Sequence, residues 1–167
     1  HMGAQRFFLD SESELNMFGI QTDCSWSRSP SDVYLNGEGA KAKMYGLAFG
    51  NQTNQTDQRI RIHHASPHTT SSQLFKSILR HQAKSVFAGK IIIAKDAQKS
   101  DASQRHQTLR FHSTAQAITQ PELEIAADDV KAAHGATVGR LDEDELFYLE
   151  TRGISRERAT ELLARAF

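Results

Sequence analysis

From Trp26 onward the sequence keeps one texture: short segments of apolar and β-forming residues separated by polar or glycine-bearing turns. The segments are DVYLN, KMYGLAF, RIRIHH, SVFAGKIIIAK, TLRFH, ELEIA and VKAAHGATVG. Gly37, Gly39, Asn51, Asn54, Gly89, Asp101 and Pro121 read as the turn residues between them. Several strands at close spacing with no long helix between them restrict the chain to an all-β core. A sandwich or barrel and a solenoid compete for that pattern. Short strands, polar turns and stacked small residues favour the solenoid, although no strict repeat is visible. SSQLFKSILRHQ is ambiguous, because Leu74, Phe75, Ile78 and Leu79 suit one helical face while the stretch also passes as a strand.

The flanks differ. Residues before about Ser25 are mixed, and FFLDSESELNMFGI fits a short strand or one amphipathic turn. His1-Met2 reads as a cloning remnant, and HMGAQ lacks the basic leader and apolar stretch of a signal peptide. At the other end, Asp142 followed by Glu145 has the spacing of a capping box with an acidic first turn. Gly153 is a candidate C-cap and Ser155 an N-cap for a second helix. In that helix Ala159, Leu162, Leu163, Ala166 and Phe167 fall on one face. The expected organisation is a leading segment with a tag remnant over 1–25, a β core over 26–140 and a helical segment over 141–167. The helical face needs either its own domain or a partner's groove to cover it. Phe147 and Tyr148 are expected to pack the first helix down.

With 20 Lys and Arg against 20 Asp and Glu the net charge is zero, which argues against a nucleic-acid partner. No apolar run is long enough to cross a membrane. The single cysteine, Cys24, excludes an internal disulfide and a cysteine-rich metal site, and fits a reducing compartment, hence a cytoplasmic expectation. Of the eight histidines, His63 and His64 are adjacent and His68 is close. A metal reading is weak there, since adjacent residues on a strand point to opposite faces. His134 is more unusual. Alternation places Val130, Ala132, His134, Ala136 and Val138 on one face. This puts a titratable ring in the middle of an apolar face, either as a satisfied core histidine or as a functional group at a buried surface. Glu124, Asp128 and Asp129 admit an acid–base reading, but alternation separates Asp129 from the other two, and Asp128 with Asp129 suits a turn.

The fragments HHASPHTTSSQLFK, VFAGKIIIAKDAQKSDASQ, PELEIAADDVKAAHGATVGRLDEDELFYLETRGIS and LLARAF form an ordered series. Together they resemble the core of the SufB/SufD family of iron–sulfur cluster assembly proteins, from about His63 to Phe167. The likeness is to the SufD branch. SufB-type proteins carry an acidic residue directly after the equivalent histidine, where this chain has Gly135. They also carry a cysteine on a neighbouring strand, and this chain has none after Cys24. One departure is Ala132, a place where SufD relatives often have cysteine.

The resemblance implies a right-handed parallel β-helix with a short C-terminal α-helical appendage, and makes SSQLFKSILRHQ a strand. It implies a non-catalytic subunit of a SufBCD complex, with SufB-like and SufC-like partners and a possible homodimer. His134 would be the iron or cluster ligand, with Ala132, Gly135 and Thr137 at the subunit junction. Asp142, Glu145, Leu146, Phe147, Tyr148, Leu149, Arg152, Leu162 and Leu163 would contact the SufC ATPase. Iron or a nascent cluster would be held only transiently, and flavin is left open. Two alternatives stand beside it: a polysaccharide-acting enzyme on a β-helix, and a purely architectural subunit with a core His134.

Overall fold

The computed structural model describes residues 2–22 and 24–167. Ten strands precede two helices: β1 (Gln5–Leu9), β2 (Glu14–Gln21), β3 (Trp26–Leu35), β4 (Lys41–Gly50), β5 (Gln55–His64), β6 (Thr70–Leu79), β7 (Lys84–Ile93), β8 (Asp101–Arg110), β9 (Gln116–Ile125), β10 (Lys131–Arg140), α1 (Glu143–Thr151) and α2 (Arg156–Ala166). Odd strands form one five-stranded parallel sheet and even strands another. Each coil contributes one strand to each sheet, giving a parallel β-solenoid of about five turns with two short C-terminal helices. The ambiguous SSQLFKSILRHQ segment is strand β6.

The alternation explains the strands. In β6 the buried positions are Ser71, Gln73, Phe75, Ser77 and Leu79, and β4, β5, β7 and β8 repeat that inward rhythm. The register carries each inward residue onto an inward residue of the next coil, as in Met44, Gln73 and Gln104. Apolar clusters fill the interior: Val33, Leu35, Met44, Ile62 and Phe87 lie in one, and Ile91 and Ile93 in another. Gly46 is required by close approach, since a Cβ there would collide with the Phe75 ring.

Two expectations need correction. The leading segment 1–25 is not separate, because β1 and β2 pair in register with β3 and β4 and start the solenoid at Gln5. Leu9 is buried there and Phe7, Leu15 and Met17 pack against the core. Gly89, Asp101 and Pro121, read as turn residues, lie in strands. Pro121 lies on β9, the edge of its sheet, where strand prolines are best tolerated. Asn36-Gly37, a dipeptide also common in hairpin turns, sits at a corner between β3 and β4, which belong to different sheets.

Polar residues also occupy the interior, and they are networked. Thr69 Oγ1 donates to the Ser66 carbonyl at 3.0 Å. Its single proton is then used, so His64 Nδ1–H must donate to it across 2.8 Å, and Ser100 Oγ–H does the same at 2.8 Å. His64 Nε2 is left to accept from Ser71 Oγ at 2.8 Å. The ring is thus held neutral with one tautomer. His106 stacks on Phe87 with centroids 4.3 Å apart and reaches Thr119 Oγ1 at 3.0 Å. His63 faces outward and stacks on Tyr34, so the adjacent pair does point to opposite faces.

Burial lowers the pKa of His64 and of His106 from 6.5 to about 4, the neighbouring His63 adding to the effect on His64. Between those values the unfolded chain binds the proton and the folded chain does not. Stability therefore falls as pH drops from 6.5 toward 4, by about 3 kcal/mol per ring at most. Urea unfolding at pH 4.5 and 7 should show this loss, and His106→Asn should shrink it. An identical pH dependence in that variant would exclude His106 as a source.

Candidate functional site

β10 ends the even-numbered sheet, and β9 ends the odd-numbered one. Among the described residues no strand lies beyond either. The register places Ala132, His134, Ala136 and Val138 directly over Ala102, Gln104, His106 and Thr108, all at most 3% exposed. The predicted face is therefore the inward one. The prediction of burial fails, however: His134, Ala136 and Val138 are exposed, because no coil covers this rung. Only Val130 and Ala132 reach the core, against a cluster containing Ala102 and Ala127. This removes the reading of His134 as a satisfied core histidine, since its ring has no hydrogen-bond partner among the described residues.

Gly135 and Thr137, the other junction candidates, are exposed on the opposite face of β10, and a Cβ at 135 would meet nothing. The edge that β10 presents is bare backbone beside small side chains. Below it, Gln104 was not singled out by the sequence; its only signal is a polar residue at an inward position. Gln104 Oε1 is buried without a partner.

The helices begin two residues after β10. Asp142 caps α1, its carboxylate accepting from Asp144 N at 2.8 Å. Gly153 takes the left-handed φ of 82° just past the helix end, where glycine is favoured. Ser155 caps α2 by accepting from Arg158 N. Arg156 ties the helices together, reaching Glu143 at 2.6 Å and Glu150 at 3.4 Å. Leu146 on α1 and Ala159 on α2 are both buried. The far end of α2 rests on the solenoid: Lys76 lies 5.0 Å from the Phe167 ring centre and donates to the Phe167 carbonyl.

Phe147 and Tyr148 do not pack α1 down, being 66% and 57% exposed. The inward stripe of a nine-residue helix has room for Leu146 but not for its neighbours one position on. Glu145, Tyr148, Leu149 and Leu163 instead line a shared groove with Asp144, of about 420 Å³. Arg152 is exposed above Tyr148, and Leu162 is half-buried. Most of the predicted partner residues thus come together on one outer surface.

The acidic residues do not converge. Glu124 pairs with Lys90 at 2.8 Å, Asp129 pairs with Lys99, and Asp128 and Asp129 form the bend before β10. Among the described residues no three His, Cys, Asp or Glu side chains are grouped to hold a metal ion. Cys24 is free and half-buried. Among the described residues no helix is long and apolar enough to cross a membrane.

A family model described as "SUF system FeS cluster assembly, SufBD core domain" matches residues 1–167. The chain belongs to the SufBD core family. Among curated relatives it is 37% identical over 140 residues to the iron–sulfur cluster assembly protein SufD of Escherichia coli, covering 84% of this chain and 33% of that protein. It is 33% identical to a SufBD family protein of Synechocystis over all of this chain and 37% of the relative. A chloroplastic Arabidopsis thaliana protein named ABCI7 is 32% identical over 95% of this chain and 34% of its own length. The chain spans about a third of the length of these SufBD relatives.

The burial contrast on α1 gives a direct test. Leu146→Ala should lower stability by about 2 kcal/mol or more, whereas Phe147→Ser should change it by less than about 0.5 kcal/mol. Equal losses in thermal unfolding would show that Phe147 packs inward after all.

Proposed function

We propose that this chain is the core of a SufD-like, non-catalytic subunit that helps assemble iron–sulfur clusters as part of a SufBCD-type complex. The observation that supports this most is the exposed imidazole of His134 on the uncovered inward rung at a free sheet edge. Family membership, and relatives named for iron–sulfur cluster assembly, supply the cargo.

The chemistry is consistent with a shared site. A cluster usually needs about four thiolate or imidazole ligands. This chain has one cysteine, Cys24, on the N-terminal side of β3 and far in sequence from β10. It therefore offers one imidazole to iron or to a nascent cluster, and the thiolate comes from a SufB-like partner. Such a site is open on one side and releases its cargo more readily than a closed four-ligand cage. Ala132 supplies no thiol, so the imidazole carries this chain's whole contribution there.

The partner docks along the β10 edge, where unpaired N–H and C=O groups template a further strand. Gly135 and Thr137 keep its outer face low. A second copy of this chain can use the same edge. The groove of Glu145, Tyr148, Leu149 and Leu163, with exposed Phe147 and Arg152, receives a SufC-like ATPase.

Two tests separate these roles. In a cell lacking the native protein, full-length protein carrying His134→Ala should lose cluster assembly. It should still fold and co-purify with its partners, because the side chain is exposed. Normal assembly would leave a purely architectural subunit. Removing 142–167 should abolish capture of the SufC-like ATPase, and retained affinity would sink the docking assignment.

A further inference from the structure

Inside the solenoid an amide ladder stops one rung short of His134. Gln73 on β6 and Gln104 on β8 are register partners, 2% and 3% exposed. Gln104 donates from Nε2 to Gln73 Oε1 at 3.2 Å. The nitrogen and oxygen of a primary amide diverge from one carbon. With its nitrogen committed to Gln73, that amide is left with its oxygen to place. That oxygen is buried and has no partner. The next residue in the same register is His134, whose ring is also without a partner among the described residues. Opposite, on β7, Gly89 leaves the space the Gln104 amide occupies, since a Cβ there would collide with Nε2. An orphan acceptor next in line to an orphan ring donor is a mismatch the protein has reason to close, because a buried unpaired polar atom is costly.

We propose that Gln104 is the positioning residue for His134. Its Oε1 accepts one ring N–H, which fixes the tautomer and turns the other, unprotonated nitrogen out of the open end. A metal-binding histidine is commonly oriented by such a hydrogen bond on its second nitrogen. The inference rests on the reading of His134 as an iron donor, but the hydrogen bond itself can be tested without iron.

The test is long-range ¹⁵N NMR of the histidine rings in the whole chain, with His134 assigned by its loss in His134→Asn. The wild type should show one dominant neutral tautomer for His134. Gln104→Met, similar in volume but lacking the acceptor, should return it to a mixture, and Gln104→Glu, which keeps an acceptor, should retain one tautomer. Cobalt(II) chloride then serves as the metal probe, and its affinity at His134 should fall about tenfold in Gln104→Met. A mixed tautomer in the wild type overturns the proposal without any variant. So does a tautomer that ignores Gln104→Met, or one that follows it with no change in cobalt affinity. The iron reading fails separately, through normal cluster assembly in His134→Ala while the wild-type ring shows the tautomer that Gln104 imposes.

Discussion

Each inward residue of a parallel solenoid depends on the coil above and the coil below, and this dependence governs the whole molecule. The parallel register fixes which residues meet: Met44 under Gln73, Gln73 under Gln104, Gln104 under His134. Interior packing is thus a set of columns, and each column is satisfied rung by rung. The last rung has a neighbour on one side only. Its inward residues have the alternation of a core and the exposure of a surface.

Three histidines at inward positions show what the neighbouring rungs decide. His64 has hydroxyls on both ring nitrogens and is held neutral in one tautomer. His106 has a Phe87 face and a Thr119 hydroxyl. Both are covered by a further coil, and desolvation lowers the pKa of each to about 4. His134 stands at the same kind of position but at the uncovered end, so its nitrogens stay available. All three are histidines at inward-facing positions; the presence of a covering coil separates structural histidines from the candidate ligand.

This also explains what was legible in the sequence. Inward alternation is a local property, so the strands, the inward side of β10 and the caps at Asp142, Gly153 and Ser155 could be read from the residues. Burial is not local. Val138 looks like core by pattern and is 41% exposed because, among the described residues, no strand lies beyond β10. Phe147 and Tyr148 were misjudged for a related reason: two consecutive aromatics on a short helix cannot share the narrow stripe that Leu146 occupies. The partnerless oxygen of Gln104 depends on register across 30 residues, from β8 to β10, which no short pattern records.

The composition of the open rung bears on how a shared site can work. Burying apolar surface contributes about 25 cal/mol per Å², so large side chains at these positions would make any covering partner hard to remove. β10 has only Ala132, Ala136 and Val138 there around His134. Covering small residues yields little hydrophobic energy, and most of what holds a partner must come from edge hydrogen bonds worth about 1 kcal/mol each. The edge carries a positive charge only near its two ends, at Lys131 and Arg140. Its middle is therefore unprotected against strand pairing, yet too poor in apolar area to make that pairing permanent. An end built this way suits the proposed shared site, which has to close over its cargo and open again, as a fully hydrophobic rung would not.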